Sequence, residues 1–240
     1  NLSTLLGNLL TLLIIRLALR RAEPHLRDYI LIGITAGLGM LAKFNIGFML
    51  PIIGLTFAII SLRQRTLRPL VIGGLISGGL TIIIAGWWYL RNLQLYGDPT
   101  GLNVFLDIVG RRAIPANAAQ LWAERHSFTQ FFWGGFGGVN IPLPDAVYVV
   151  FNLIGRIGLV SGLVFLIAVT VRRAWTTERL LAAAITLLWI AANFVSYLRW
   201  TSETPASQGR LMFGALSSIL IWIVIGWTWF LSPRLQALTL

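Results

Sequence analysis

Two basic side chains, Lys43 and Arg156, fall inside otherwise apolar stretches. A charge within a lipid-spanning segment is costly and by default marks function. Lys43 either presents its ammonium to a phosphate or snorkels to the surface along its own aliphatic stem. Arg156 follows Asn152 by four residues, which puts both on one helical face. That face points into a bundle, or the segment lies along the interface with Arg156 near the surface. Arg91 and Asn92 follow Trp87, Trp88 and Tyr89, an aromatic cluster suited to a membrane boundary. Next comes Tyr96-Gly97-Asp98-Pro99, a turn-forming run in which Asp98 fixes the turn or serves as a catalytic carboxylate. Glu124 and His126 are two residues apart and face different sides of any helix, so they are no ready acid/base pair. Glu203 and Arg210 share a late loop, where each either reaches a cavity or is solvated at the surface. His25 and His126 lack helical ligand spacing and there is no cysteine, so neither a metal nor a cofactor is expected.

The elements that must position these groups follow from composition. The 240 residues are 57% hydrophobic and 11% charged. A soluble chain carries about 25% charged residues, so the apolar surplus here exceeds what one core can bury and must face lipid. Apolar runs approach the roughly 20 residues that a helix needs to cross a hydrocarbon core. They do not alternate polar with apolar, which excludes a transmembrane β-barrel. The formal charge of +11 sits mainly in short loops between apolar runs. That is the positive-inside pattern of a membrane protein; no loop interleaves basic and aromatic residues as a nucleic-acid surface does. The first apolar run precedes Arg20 and Arg21. A signal peptide has its charge before the apolar stretch, so this run is expected to be a retained span, in the interior of a longer protein.

The expected fold is all-α, a polytopic bundle of about seven helical crossings forming one transmembrane domain, residues 1–240. Residues 2–19 form the first span and end in a basic loop. Residues 29–60 are flanked by basic loops at both ends, which predicts a short hairpin with arms of about 14 residues, ~21 Å each, and a tip near Lys43, Phe44 and Asn45. Further spans are expected over 69–90, 146–171, 180–198 and 211–231. Residues 91–145 lack a spanning run and are expected as one large extracytoplasmic loop of short helices, with the aromatic, glycine-rich tip at 131–138 in the outer interface. This alternation puts ten arginines, Arg234 among them, in cytoplasmic segments and six in the longer outer ones. It predicts a multi-pass protein of the cytoplasmic (inner) membrane with its amino end outside and its carboxyl end inside. The four-residue spacings Gly33/Gly37, Gly74/Gly78 and Gly158/Gly162 predict close helix packing within the bundle.

Three motifs carry a family resemblance. Gly37-Leu38-Gly39-Met40-Leu41-Ala42-Lys43, running on to Pro51, resembles the leucine-rich segment ending in Thr-Lys of polyprenyl-phosphate-dependent membrane glycosyltransferases of the protein-mannosyltransferase-like (GT-C) group. Trp88-Tyr89-Leu90-Arg91-Asn92 with Tyr96-Gly97-Asp98-Pro99 is similar to the stretch that follows a later span in that group, and Gln208-Gly209-Arg210 to the one that introduces a late helix. The chain departs from the pattern at Ala42, where Thr is usual, and at Leu211 and Gly214, where relatives often carry an aromatic residue and a proline. The resemblance implies inverting transfer of a sugar from a polyprenyl phosphate carrier on the extracytoplasmic side, with a carboxylate activating the acceptor. In the family that carboxylate lies in the first outer loop, which would precede Asn1. Lys43, Arg91 and Arg210 are then expected to converge on one outward-opening cavity for the carrier phosphate, with Asn92, Asp98, Arg156, Glu203 and Gln208 as secondary candidates. The expected partners are membrane lipid and a polyprenyl-phosphate sugar, with other membrane subunits in the competing reading, and no nucleic acid. That reading is a non-catalytic structural subunit of a larger membrane complex. A transporter would need polar residues near the midplane of several spans, and few are present.

Overall fold

A computed structural model of the chain describes residues 2–136 and 140–231. Gly137 and Gly138 of the expected interfacial tip, and Arg234 of the expected cytoplasmic tail, lie outside the described residues. The fold is an all-α bundle. Helices α1 (Leu2–Leu19) and α2 (Leu26–Ala42) are joined by the basic loop, where the backbone N–H of His25 donates to the Asp28 carboxylate and Arg20 pairs with the same group. The stretch 29–60 then breaks at Lys43, whose backbone is extended (φ −163°, ψ 122°). A 3₁₀ turn, Phe44–Phe48, leads into α3 (Met49–Gln64). Pro51 sits in the first turn of α3, where a missing N–H costs nothing but an uninterrupted helix through residues 47–51 would lose a bond.

The far ends of α2 and α3 lie at the same end of the bundle. Arg63 donates to the carbonyls of Ala18 (3.1 Å) and Arg20, Arg68 approaches Glu23, and the Tyr29 and Phe57 rings pack edge to face at 5.4 Å. The two helices are therefore antiparallel and joined by the 43–48 turn, with arms of 17 and 16 residues in place of the expected 14. The difference arises because both helices extend into the flanking loops, to Leu26 and to Gln64.

Helix α4 (Arg68–Thr81), a π turn (Ile82–Gly86) and α5 (Trp87–Tyr96) form one continuous rod. The expected exit from helix at Arg91 is corrected to Tyr96. Residues 87–96 contain no breaker, and Gly97 supplies the left-handed stop (φ 65°). Short helices α6 (Leu102–Val109), α7 (Ala118–Ala123) and α8 (Arg125–Trp133) and a two-residue hairpin, β1 (Gly135–Phe136) with β2 (Ile141–Pro142), cap that end. Helix α9 (Asp145–Val171) returns, and α10 (Thr177–Glu203) runs back from its Thr176 cap through Arg199 to Glu203. The loop expected from Arg199 is thereby shortened to 204–208. A 3₁₀ segment (Gly209–Ala215) and α11 (Leu216–Thr228) finish the described chain.

The core lies among α1, α2, α3 and α10, around Leu10, Ile14, Ile32, Met49, Phe57 and Trp189. Two of the three glycine pairs bring helices together. A Cβ on Gly33 would stand 2.8 Å from the Ser77 backbone on α4, and one on Gly158 would meet Ile223 of α11 at 2.7 Å. Close approach lets Ser77 and Thr81 of α4 donate their hydroxyls to the Tyr29 and Gly33 carbonyls. Gly74 and Gly78 correct the expectation for the third pair: a Cβ on either would meet nothing within 4 Å. They lie on the outward side of α4, because its inward side is the Gly73/Ser77/Thr81 row.

Among the described residues, six helical segments are long and apolar enough to cross a membrane; the 17-residue α2 is shorter than these. The arginine-rich loops collect at one end of the bundle: Arg21 pairs with Glu178 of α10 at 2.9 Å, on the side where Arg63 and Arg68 reach the α1–α2 loop. The short helices α6 to α8 lie at the other.

Candidate functional site

Lys43 stands at the α2–3₁₀ junction because the helix must break before Pro51, and the extended backbone there turns its side chain toward the capped end of the bundle. The side chain lines a cavity of ≈ 360 Å³ whose walls come from Phe44 and Asn45, from Thr100, Gly101, Leu102 and Phe105, from Ser196, Tyr197 and Trp200 of α10, and from Leu211. Phe105 and Trp200 stack at 5.7 Å and form one apolar wall. The lysine ammonium has no hydrogen-bond or ion-pair partner among the described residues. A second cation, Arg210, lies close enough to act on it electrostatically. Among the described residues Arg210 makes one side-chain bond, from its Nε to the Gln208 side chain at 2.8 Å, and it is not itself part of the lining, so one cation lines an apolar cavity that has no carboxylate in its wall and a second acts on it from outside that wall.

Of the three cations expected to share one cavity, Lys43 alone lines it; Arg210, bonded to Gln208, acts on Lys43 electrostatically without being part of the lining. Arg91 is not among the residues lining this cavity; it lies on α5 with its guanidinium 5.2 Å from the Trp88 ring centre. Asn92 is buried against the following turn and donates to the Pro99 carbonyl at 3.4 Å. Asp98 accepts from the Thr100 N–H (2.9 Å), the Thr100 hydroxyl (2.7 Å) and the Asn103 N–H (3.0 Å). Those bonds, the Asn103 one foremost, hold its carboxyl below the usual carboxylate range. Its lone pairs are thereby committed to the turn that opens α6. Glu203 pairs with Arg111 at 3.3 Å.

Arg156 is exposed, whereas Gly155, Gly158 and Gly162 are the buried residues of that part of α9. The expectation that it points into the bundle is therefore corrected. Asn152 does turn inward, accepting from the Trp133 indole at 2.8 Å. Glu124 is gripped by Arg112 at 2.6 and 2.8 Å and by the Ser207 hydroxyl. No group of three or more potential metal ligands occurs among the described residues.

Sequence reasoning missed the amides behind Lys43. Asn45 and Asn193 are both buried, and their side chains meet at 3.4 Å. Asn193 also donates to the Trp189 carbonyl, and the Trp189 indole donates to the Gly214 carbonyl. The Asn45 Oδ1 has no hydrogen-bond partner among the described residues. The available signal was an Asn in mid-span at 193, where an unpaired amide in apolar surroundings is costly.

Fold and site together define a multi-pass helical membrane protein with a cationic, apolar-walled cleft at one end of its bundle. Compared with known proteins, the chain matches no family model, no curated protein and no solved structure.

Proposed function

We propose that this chain is the membrane portion of a glycosyltransferase that uses a polyprenyl phosphate-linked sugar, with the Lys43 cleft receiving the carrier phosphate. The observation that carries this reading is Lys43, a cation without a counterion among the described residues, lining an apolar cavity with a second cation, Arg210, near enough to act on it. A lipid-borne phosphate satisfies both halves of that site. Its charge meets an ammonium and a guanidinium where reduced water strengthens charge-assisted bonds, and its isoprenoid chain covers the Phe105–Trp200 wall. The free Asn45 Oδ1 suits a hydroxyl donor, such as a sugar, beside the phosphate. In this reading the arginine-rich end faces the cytoplasm, in keeping with the positive-inside rule, and the cleft opens on the extracytoplasmic side of the cytoplasmic membrane. Lys43 and Arg210 hold the leaving phosphate, and the acceptor is activated by a carboxylate outside this cleft.

Binding of a short-chain polyprenyl phosphate to the purified protein tests this. Retention is expected to fall about tenfold or more in Lys43→Gln and in Arg210→Gln, one charge-assisted contact being worth about 1.5–3 kcal/mol, while the uncharged polyprenol binds wild type and variants alike. Equal binding of phosphate and alcohol would remove the basis of the proposal. Among the described residues no carboxylate lines the cleft, which favours a second reading, a non-catalytic subunit of a membrane complex. Co-purification of stoichiometric partner chains, together with that equal binding, would select it.

A further inference from the structure

A second cationic cleft opens at the opposite, arginine-rich end of the bundle. It lies between α1 and α2, with a volume of ≈ 660 Å³, and is lined by Arg16, Arg20, Arg27 and Asp28 together with leucines and Ile32. Arg16 belongs to the last turn of α1 and Arg20 follows that helix directly; Arg27 approaches from the first turn of α2. Arg20 is committed to Asp28. Asp28, the only carboxylate in the lining, is in turn consumed by Arg20 and the His25 N–H. Arg16 and Arg27 are exposed and have no hydrogen-bond or ion-pair partner among the described residues. Three guanidinium groups against one carboxylate leave the cleft doubly positive.

Depth is what separates this cleft from an ordinary solvated surface. Arg16 belongs to the last turn of an apolar span, not to the loop after it. A cation there lies at or just below the headgroup level, where its charge must be met by a phosphate or carried to water by the side chain. The cleft continues from Arg16 and Arg27 onto Leu13, Leu17, Leu31 and Ile32, an apolar wall that runs toward the membrane interior. A free phosphate has no use for that wall, whereas a lipid has a headgroup for the arginines and an acyl chain for the leucines. Arginine forks match a phosphodiester with paired bonds, and basic pockets between helices at the anionic leaflet are suited to such headgroups. We infer that the α1–α2 cleft binds an anionic glycerophospholipid, with Arg16 and Arg27 gripping its phosphate and the Leu13/Leu31 wall holding an acyl chain.

The test uses the full chain in mild detergent and compares phosphatidylglycerol with phosphatidylcholine of the same acyl chains by native mass spectrometry. Wild type is expected to retain phosphatidylglycerol preferentially. Arg16→Gln with Arg27→Gln should reduce that preference by about thirtyfold, at roughly fivefold per basic residue near the headgroups. Arg16→Lys with Arg27→Lys should keep most of it, and a charge-matched pair at the α9–α10 loop, Arg172→Gln with Arg179→Gln, should leave it intact. Should the glutamine variant not fold, a photoreactive phosphatidylglycerol on wild type decides, with labelling expected on peptides of α1 and α2. Absence of preference in wild type, its survival in the folded glutamine variant, or labelling confined to other helices overturns the proposal. So does equal protection by glycerol phosphate, which would mark a site for free phosphate. This proposal does not rest on the carrier-phosphate reading: polyprenyl phosphate binding to Lys43→Gln tests that reading, whereas the phosphatidylglycerol preference of the Arg16/Arg27 variants and the labelling of α1 and α2 test this one, so the two failures are distinguishable.

Discussion

Lys43 announced itself in the sequence because a charge interrupts an apolar run; Asn45 and Asn193 did not, because a neutral amide leaves the run intact. Only the fold brings residues 45 and 193 to within hydrogen-bond distance. The same difference explains Arg156. Four-residue spacing established that it shares a face with Asn152, but which side of α9 packs was decided by Gly155, Gly158 and Gly162 meeting their neighbours. Replacing Asn193 by Leu should strand the Asn45 amide and remove the bond to the Trp189 carbonyl. Interhelical polar contacts in membranes contribute about 1 kcal/mol, so a modest loss of that order is expected in detergent-based unfolding. An unchanged or increased stability would show that the Asn45–Asn193 contact contributes nothing.

At the scale of elements, glycine spacing was legible and glycine direction was not. The pairs on α2 and α9 face α4 and α11, while Gly74 and Gly78 face outward, and nothing in a four-residue spacing distinguishes the two cases. The α9–α11 contact is the tightest: a Cβ on Gly226 would stand 1.8 Å from the Gly158 carbonyl oxygen. Gly226→Ala is therefore expected to force the helices apart and cost roughly 3 kcal/mol or more. Gly78→Ala fills open space inside a helix and should be neutral or stabilise by about 0.5–1 kcal/mol. Unfolding both variants in the same detergent mixture checks the contrast. If Gly226→Ala is as mild as Gly78→Ala, the helices are not in backbone contact there.

The cap over the cleft is tied to α10 by a small set of bonds that no sequence pattern revealed, since its members, Arg112, Glu124, Thr201 and Ser207, are far apart in the chain. Arg112 bridges the Thr201 carbonyl and the Glu124 carboxylate, and the Arg112 and Ala116 N–H groups donate to the Glu203 and Ser202 carbonyls. Burial alone would raise the Glu124 carboxyl, but the Ser207 hydroxyl and the Arg112 guanidinium together hold it below the usual range. A carboxyl depressed in the folded state stabilises above its ordinary pKa, and the contribution is lost as pH falls through the lowered folded value. Hydrogen exchange across residues 111–124 should thus rise as pH falls below the ordinary glutamate pKa of about 4.3, after correction for intrinsic exchange. Glu124→Gln should exchange faster at neutral pH and lose that pH dependence; a variant with wild-type behaviour would assign the tether to other contacts.

At the scale of the whole molecule, the alternation of basic and less basic loops anticipated which segments share an end of the bundle. Electrostatic bias acts on loops and is visible in composition, whereas helix ends are set by local caps. That is why the expected boundaries at residues 91 and 199 were early by several residues: Gly97 and Thr204, not the arginines, end those helices. The same charge bias sets the expected sidedness of the bundle, which labelling measures directly. The absence of cysteine makes the chain a clean background for it. Single cysteines at Ala118, an exposed residue of the capped end, and at Arg172, beside the arginine-rich end, sample the two poles of the fold. In intact cells treated with a membrane-impermeant maleimide, Ala118→Cys is expected to react and Arg172→Cys to react only after permeabilisation. The opposite pattern would invert the orientation and move the Lys43 cleft to the cytoplasmic side, where an extracytoplasmic carrier could not reach it. Reaction of both in intact cells would mean that the two poles are not separated by a membrane at all.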